Sequence, residues 1–196
     1  MFAIIGFALG IILSQKIGTT YSKYLQVEEI LFRLRGTLAS VVYILDGVEK
    51  GLGTKAVKKW LRVFLDLFED EKADHTKIIQ ANRDLYGPLQ KAESSPAEMA
   101  ILSKEISADS EFCLSKKNSF VPLAYDNLLK QSTILYLVMT AVFIPGITGL
   151  ISVFLATYML YGMYHVTVDL DSLVGGDYNL IDINSEELHT FYTSLK

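Results

Sequence analysis

From Gln131 to Val168 the chain runs for 38 residues without an aspartate, glutamate, lysine or arginine. A helix crosses a hydrocarbon core in roughly 20 residues, so this run is too long for one span and long enough for two. Pro145-Gly146 sits near its middle. Proline lacks a backbone donor and its ring clashes with the preceding turn, so a helix arriving at Ile144 ends there. The stretch reads as two apolar helices joined by a short turn from Pro145 to Gly149. Pro122 suits a first helical turn, and Leu123 to Ile144 gives 22 residues whose charges, Asp126 and Lys130, lie near the start. The outgoing helix, about Thr148 to Val166, has 19 residues, with Tyr158, Tyr161 and Tyr164 gathered towards its end as in an aromatic belt.

Charge is segregated in a way that assigns sides. The composition is 51% hydrophobic yet 20% charged, and 17 of the 18 lysines and arginines lie between Lys16 and Lys130. Basic residues are retained in the cytoplasm. The segment 16–130 is therefore expected inside, the Pro145-Gly146 turn outside and the tail from Asp169 inside again, in a multi-pass membrane protein. A net charge of −4 gives no reason to expect nucleic-acid binding. The single cysteine, Cys113, excludes an intramolecular disulfide and has no metal-ligand partner at a suitable spacing.

The N-terminal stretch MFAIIGFALGIILS is apolar but short for a span, and no basic residue precedes it as in a secretory signal. Gly6 and Gly10 form a G-x-x-x-G, a weak signal for close helix approach in lipid. The stretch reads as the end of a membrane helix that continues past Lys16 into the cytoplasm, which implies either an earlier span not in this sequence or a helix that enters the membrane only partway. Beyond it Tyr24, Val27, Leu31, Leu34, Leu38, Val41 and Leu45 repeat at intervals of three and four, a heptad seam that predicts lengthwise packing against another element, within the chain or beyond it. Gly47, Gly51 and Gly53 end that helix, and Thr54 is placed to cap the next. In the second helix Val57, Trp60, Leu61, Phe64, Leu65 and Phe68 make one apolar face, set either on a cytoplasmic core or on the membrane surface. From Glu69 to Lys117 the chain is polar, and Gly87-Pro88 and Ser94-Ser95-Pro96 predict breaks between shorter helices.

Catalytic chemistry finds no foothold. His75, His165 and His189 are far apart and fit no metal or nucleophile pattern, and no glycine-rich loop follows a strand. The chain is not expected to be an enzyme. The one acidic concentration, Asp169, Asp171, Asp177 and Asp182 with Asn179 among them, departs from the helix-loop-helix calcium spacing and reads as a solvated turn.

Three short patches carry a resemblance to the bestrophins, a family of anion channels, and to the bestrophin-like membrane proteins. TTYSKY, Thr19 to Tyr24, is similar to the family's Tyr-x-Arg-Trp stretch, with Lys23 at the arginine and Tyr24 at the tryptophan. FVPLAY, Phe120 to Tyr125, resembles the Pro-x-x-Tyr start of its third membrane helix. DLDSLVGGDYNL, Asp169 to Leu180, resembles the acidic turn after its last span, although Leu173-Val174 replaces the usual Pro-Phe pair. INSEEL, Ile183 to Leu188, is closer to the bestrophin-like branch. The resemblance implies an all-α membrane protein, with transmembrane helices plus a helical cytoplasmic domain. Across this single bestrophin-like domain, 1–196, it divides the chain into a membrane helix end (1–15), cytoplasmic helices (16–121), a transmembrane hairpin (122–166) and a cytoplasmic tail (167–196). The family's first transmembrane helix is not in this sequence.

The resemblance further implies a homopentamer in the lipid bilayer, whose N-terminal helices surround a pore for chloride or another anion. Laying Lys23 on the family's arginine places Phe7, Ile11 and Gln15 at the hydrophobic pore neck; an anion pore wants basic or amide groups near its cytoplasmic mouth, and Lys16, Thr19 and Lys23, with Gln15 and Thr20, supply them if they face the axis. Phe7 and Ile11 equally suit a face turned to lipid or to a neighbouring helix. No resident cofactor is implied beyond a calcium ion that the family's acidic turn can hold, here at Asp177 and Asn179; with the Pro-Phe pair replaced, added calcium is expected to leave thermal stability unchanged. The alternative function is a non-conducting membrane scaffold whose heptad seam oligomerises. The topology is checked by cysteine labelling. An impermeant thiol reagent added outside should reach a cysteine at Thr148 and miss one at Ser95, and the reverse pattern would invert the orientation.

Overall fold

The computed structural model describes residues 2–69, 76–91, 96–117, 123–144, 146–171 and 186–195. Seven α-helices account for nearly all of them, and no strand occurs among the described residues. They are α1 (Phe2–Val48), α2 (Leu52–Glu69), α3 (Thr76–Lys91), α4 (Pro96–Lys117), α5 (Leu123–Phe143), α6 (Ile147–Asp171) and α7 (Glu186–Ser194). The chain divides into two compact units, Met1–Tyr24 with Phe120–Asp182, and Leu25–Ser119 with Ile183–Lys196. The division falls inside α1, between Tyr24 and Leu25.

The second unit is built on the heptad seam. Val27, Leu31, Leu34, Leu38, Val41 and Leu45 are all buried. The seam is thus occupied by packing within the chain itself. The α2 face is buried in the same core, with Trp60, Phe64 and Phe68 stacked along the helix at centroid distances of 5.2 and 5.6 Å. This is a core helix and not a membrane-surface one. The expected cap at Thr54 differs in detail, because α2 begins earlier, at Leu52. Asp46, near the end of α1, accepts hydrogen bonds from the backbone N–H groups of Gly53 and Thr54 and from the Thr54 hydroxyl. A carboxylate from the preceding helix therefore satisfies donors that a helix N-terminus leaves open.

The predicted break at Gly87-Pro88 does not occur, and α3 runs through Pro88 to Lys91. Proline so near a helix C-terminus forfeits one bond, the one its missing N–H would have made to the Asp84 carbonyl, while Leu85 and Leu89 remain anchored in the core. Pro96 does mark a boundary, as the first residue of α4.

Buried polar groups in this unit are paired. Arg33 on α1 grips Asp109 on α4 through two hydrogen bonds, Nε to Oδ2 at 2.9 Å and Nη2 to Oδ1 at 2.5 Å. The carboxylate is nearly enclosed, and its hydrogen bond and charge raise the Arg33 guanidinium above its ordinary value. Lys117 donates to the Leu67 carbonyl at the end of α2, where the helix dipole favours a cation. Helix α7 is held by Arg35 to Glu187, by His189 to Glu69, and by Lys58, whose ammonium donates to the Leu195 carbonyl and sits 5.2 Å from the Tyr192 ring centroid.

The first unit consists of the N-terminal part of α1 with the hairpin of α5 and α6. Its core is Leu13, Leu129 and Leu160, with Ile12, Tyr136 and Met163 packed against it. The hairpin turns where proline and glycine predicted. Pro145 itself lies outside the described residues, but Gly146 has φ +84°, a left-handed conformation that glycine adopts at little cost. Helix α6 runs five residues beyond the expected Val166, so Asp169 and Asp171 belong to its last turn instead of a loop. Two helices, α1 and α6, are long and apolar enough to cross a membrane. The outward side chains of the hairpin are apolar, among them Val142, Ile147, Leu150 and Phe154. An apolar exterior of this extent is suited to lipid.

Two outcomes test this packing. Arg33→Met strands the enclosed Asp109 carboxylate and should cost about 3 kcal/mol, read as a lower melting temperature, while adding Asp109→Leu should recover most of it. Recovery of nothing would mean that the pair is not what the site depends on. Burial, with help from Asp109, pushes the Cys113 thiol up to about 12. It should therefore resist thiol reagents at neutral pH until the protein is unfolded.

Candidate functional site

The candidate neck lies on the first six turns of α1. Phe7 is 72% and Ile11 42% exposed, and Gln15 and Thr19 are exposed as well. Steps of four residues drift by only ~40° around a helix, so these four side chains form one slowly winding stripe. The opposite face is buried. Leu9, Leu13, Lys16, Thr20 and Lys23 follow each other at intervals of four, three, four and three, and all are less than a tenth exposed. With one extra step of four at Val27, this continues the buried line from Leu45 back to Leu9.

The structure thus leaves Phe7, Ile11, Gln15 and Thr19 exposed and buries Lys16 and Lys23; the stripe has wound by ~120° at Thr19, and its next step of four is the buried Lys23. Two of the three residues assigned to the mouth point into their own subunit. Sequence reasoning began the seam at Tyr24 because lysine and threonine at seam positions do not read as apolar. The signal was the spacing alone: after two successive steps of four, Leu31 to Val27 and Val27 to Lys23, the alternation resumes through Thr20, Lys16, Leu13 and Leu9.

Burying an ammonium is costly unless it is compensated. Neither Lys16 nor Lys23 is without a partner. The Lys16 ammonium lies 5.9 Å from the Tyr164 ring centroid, and Lys130 approaches the same ring at 5.8 Å. Cations are attracted to a π-face at such distances, so one tyrosine of α6 serves lysines from both α1 and α5. Beside it His165 meets Tyr161 edge to face at 4.4 Å. Buried hydroxyls here are satisfied locally: Thr20 donates to the Lys16 carbonyl, Thr140 to Tyr136 and Thr167 to Tyr164. That is how threonine is accommodated in apolar helices.

On the exposed stripe the chemistry grades from apolar to polar. Phe7 and Ile11 offer no hydrogen-bonding group, and Gln15 carries an amide with two donors. Thr19 directs its hydroxyl proton to the carbonyls of Gln15 and Lys16, at 3.0 and 2.9 Å, leaving lone pairs outward. Gln15 is therefore the stripe residue equipped to donate to an anion. Of the G-x-x-x-G pair, Gly6 has a use within the chain: a methyl group there would come within 2.5 Å of the Tyr136 hydroxyl oxygen, whereas Gly10 faces open space. No cluster of three or more metal-ligating side chains occurs among the described residues. Asp177 and Asn179, the candidate calcium ligands, lie outside them.

No family model and no curated protein matches the chain. Solved structures do. Two variants of a bacterial bestrophin homologue from Klebsiella pneumoniae superpose with TM-scores of 0.75 and 0.76, at 16% and 15% identity, over 99% of this chain and 86% and 84% of theirs. A structure described as a membrane protein superposes with a TM-score of 0.72 at 15% identity, again over 99% of this chain and 84% of that one. With so little shared sequence the agreement is one of architecture, and the chain is an all-α membrane protein with the bestrophin-like fold.

Proposed function

We propose that the chain is one subunit of a passive anion channel, with its pore at the axis of a homo-oligomer, a pentamer as in the family it resembles. The observation that carries this reading is the exposed stripe Phe7, Ile11, Gln15 and Thr19, on a helix whose opposite face is fully engaged inside the subunit. The fold shared with bestrophin homologues supports it. Around an axis, Phe7 and Ile11 form two apolar rings about one turn apart, ~5.4 Å. Hydrated ions are opposed there because apolar side chains cannot replace lost water, so the rings restrict flux by dewetting. Gln15 forms the next ring and presents amide N–H donors.

No nucleotide-binding motif occurs to power transport, so ions move down their gradient. The scaffold alternative loses its main support, because the seam meant to oligomerise is buried within the subunit.

Liposome flux tests the proposal. Phe7→Ala with Ile11→Ala should raise chloride efflux several-fold over the parent, and Gln15→Glu, which sets a carboxylate on the stripe, should shift preference from chloride towards sodium. A parent and variants that all remain silent, although assembled, would remove the channel reading.

A further inference from the structure

A groove of about 460 Å³ opens between α2 and α3, within the second unit and apart from the stripe on α1. Ala56, Trp60 and Val63 of α2 and Ala81, Leu85 and Pro88 of α3 supply its apolar walls. Its size lies in the lower part of the range of small-molecule sites. Three lysines stand along the rim, Lys55 and Lys59 from α2 and Lys77 from α3, against one carboxylate, Asp84. That carboxylate is already engaged, accepting from Lys59 at 2.8 Å and from Gln80 at 2.9 Å. Among the described residues neither Lys55 nor Lys77 is ion-paired, and both are exposed.

We infer that this groove binds a single-chain aliphatic carboxylate, a free fatty acid, with its chain along the apolar walls and its carboxylate at the Lys55 and Lys77 ammonium groups. The charge of the rim selects an anion and the walls select a hydrocarbon. A peptide is a poor occupant, because its backbone N–H and C=O groups need partners that Ala56, Val63 and Leu85 side chains cannot give. An alkyl chain makes no such demand. The limited volume favours one chain over the two of a phospholipid. The inference does not depend on ion conduction.

The protein carries its own reporter, since the groove contains Trp60, the one tryptophan of the chain. Bromine atoms quench indole emission at short range, so dibromostearate titrated into the full-length protein in detergent should quench Trp60 saturably. A dibrominated monoglyceride, with the same chain and no charge, should need roughly tenfold more for half-quenching, and dibrominated phosphatidylglycerol should not saturate. Lys55→Glu with Lys77→Glu alters exposed side chains only and should weaken dibromostearate by roughly tenfold, the effect expected from reversing two surface charges. Ala56→Phe should abolish saturation by filling the groove, with the melting temperature checked alongside. Equal quenching by charged and uncharged chains, or no change in the double lysine variant, would overturn the inference. Saturable quenching by the phospholipid alone would replace it with a lipid site.

Discussion

Everything in this subunit is arranged around the buried seam of α1. The helix is 47 residues, and it carries buried side chains from Leu9 to Leu45. A helix of that length is not held straight by its own hydrogen bonds alone; tertiary packing of one face supplies most of its stability. In the first unit that face meets Leu129 and Leu160 of the hairpin. In the second it is fixed by the bidentate Arg33–Asp109 pair to α4 and by the Asp46 cap on α2. Once the inward face is committed, the outward one is left for other partners.

That division gives the stripe its significance. Leu9 and Leu13 are buried, whereas Phe7 and Ile11, two residues earlier in each case and equally apolar, are exposed. Water would penalise such side chains, so they need lipid or further copies of the chain. The passage to Gln15 and Thr19 along the same stripe is a change from apolar to polar at constant helix geometry. Lys16, Thr20 and Lys23 occupy the matching stretch of the buried face, so both sides of α1 become polar at the same level.

Much of the fold was legible in the sequence because it rests on length and period. The uncharged run with Pro145-Gly146 at its middle specified the hairpin, and the leucines from Leu31 to Leu45 specified the seam. What was illegible depended on tertiary context. Pro88 reads as a break, but two leucines in the core hold its helix through it. Thr54 reads as a cap, but a carboxylate eight residues away has the better geometry. Lys16 and Lys23 read as mouth residues because charged side chains are expected at the surface; their burial depends on compensation such as the Tyr164 ring at Lys16, which no local pattern reveals. The apolar stripe residues themselves were identifiable, yet the direction they face was fixed only when the opposite side proved to be buried.

The central claim is that this stripe meets its counterparts from other subunits at a shared axis. Oxidative cross-linking of single cysteines in membranes tests it most directly, and the buried native Cys113 will not interfere. If the stripe lines an axis, Ile11→Cys should form covalent dimers between subunits on mild oxidation, while Phe154→Cys, more exposed than Ile11 but on α6, should remain monomeric. Dimers through Phe154→Cys with none through Ile11→Cys would contradict the account.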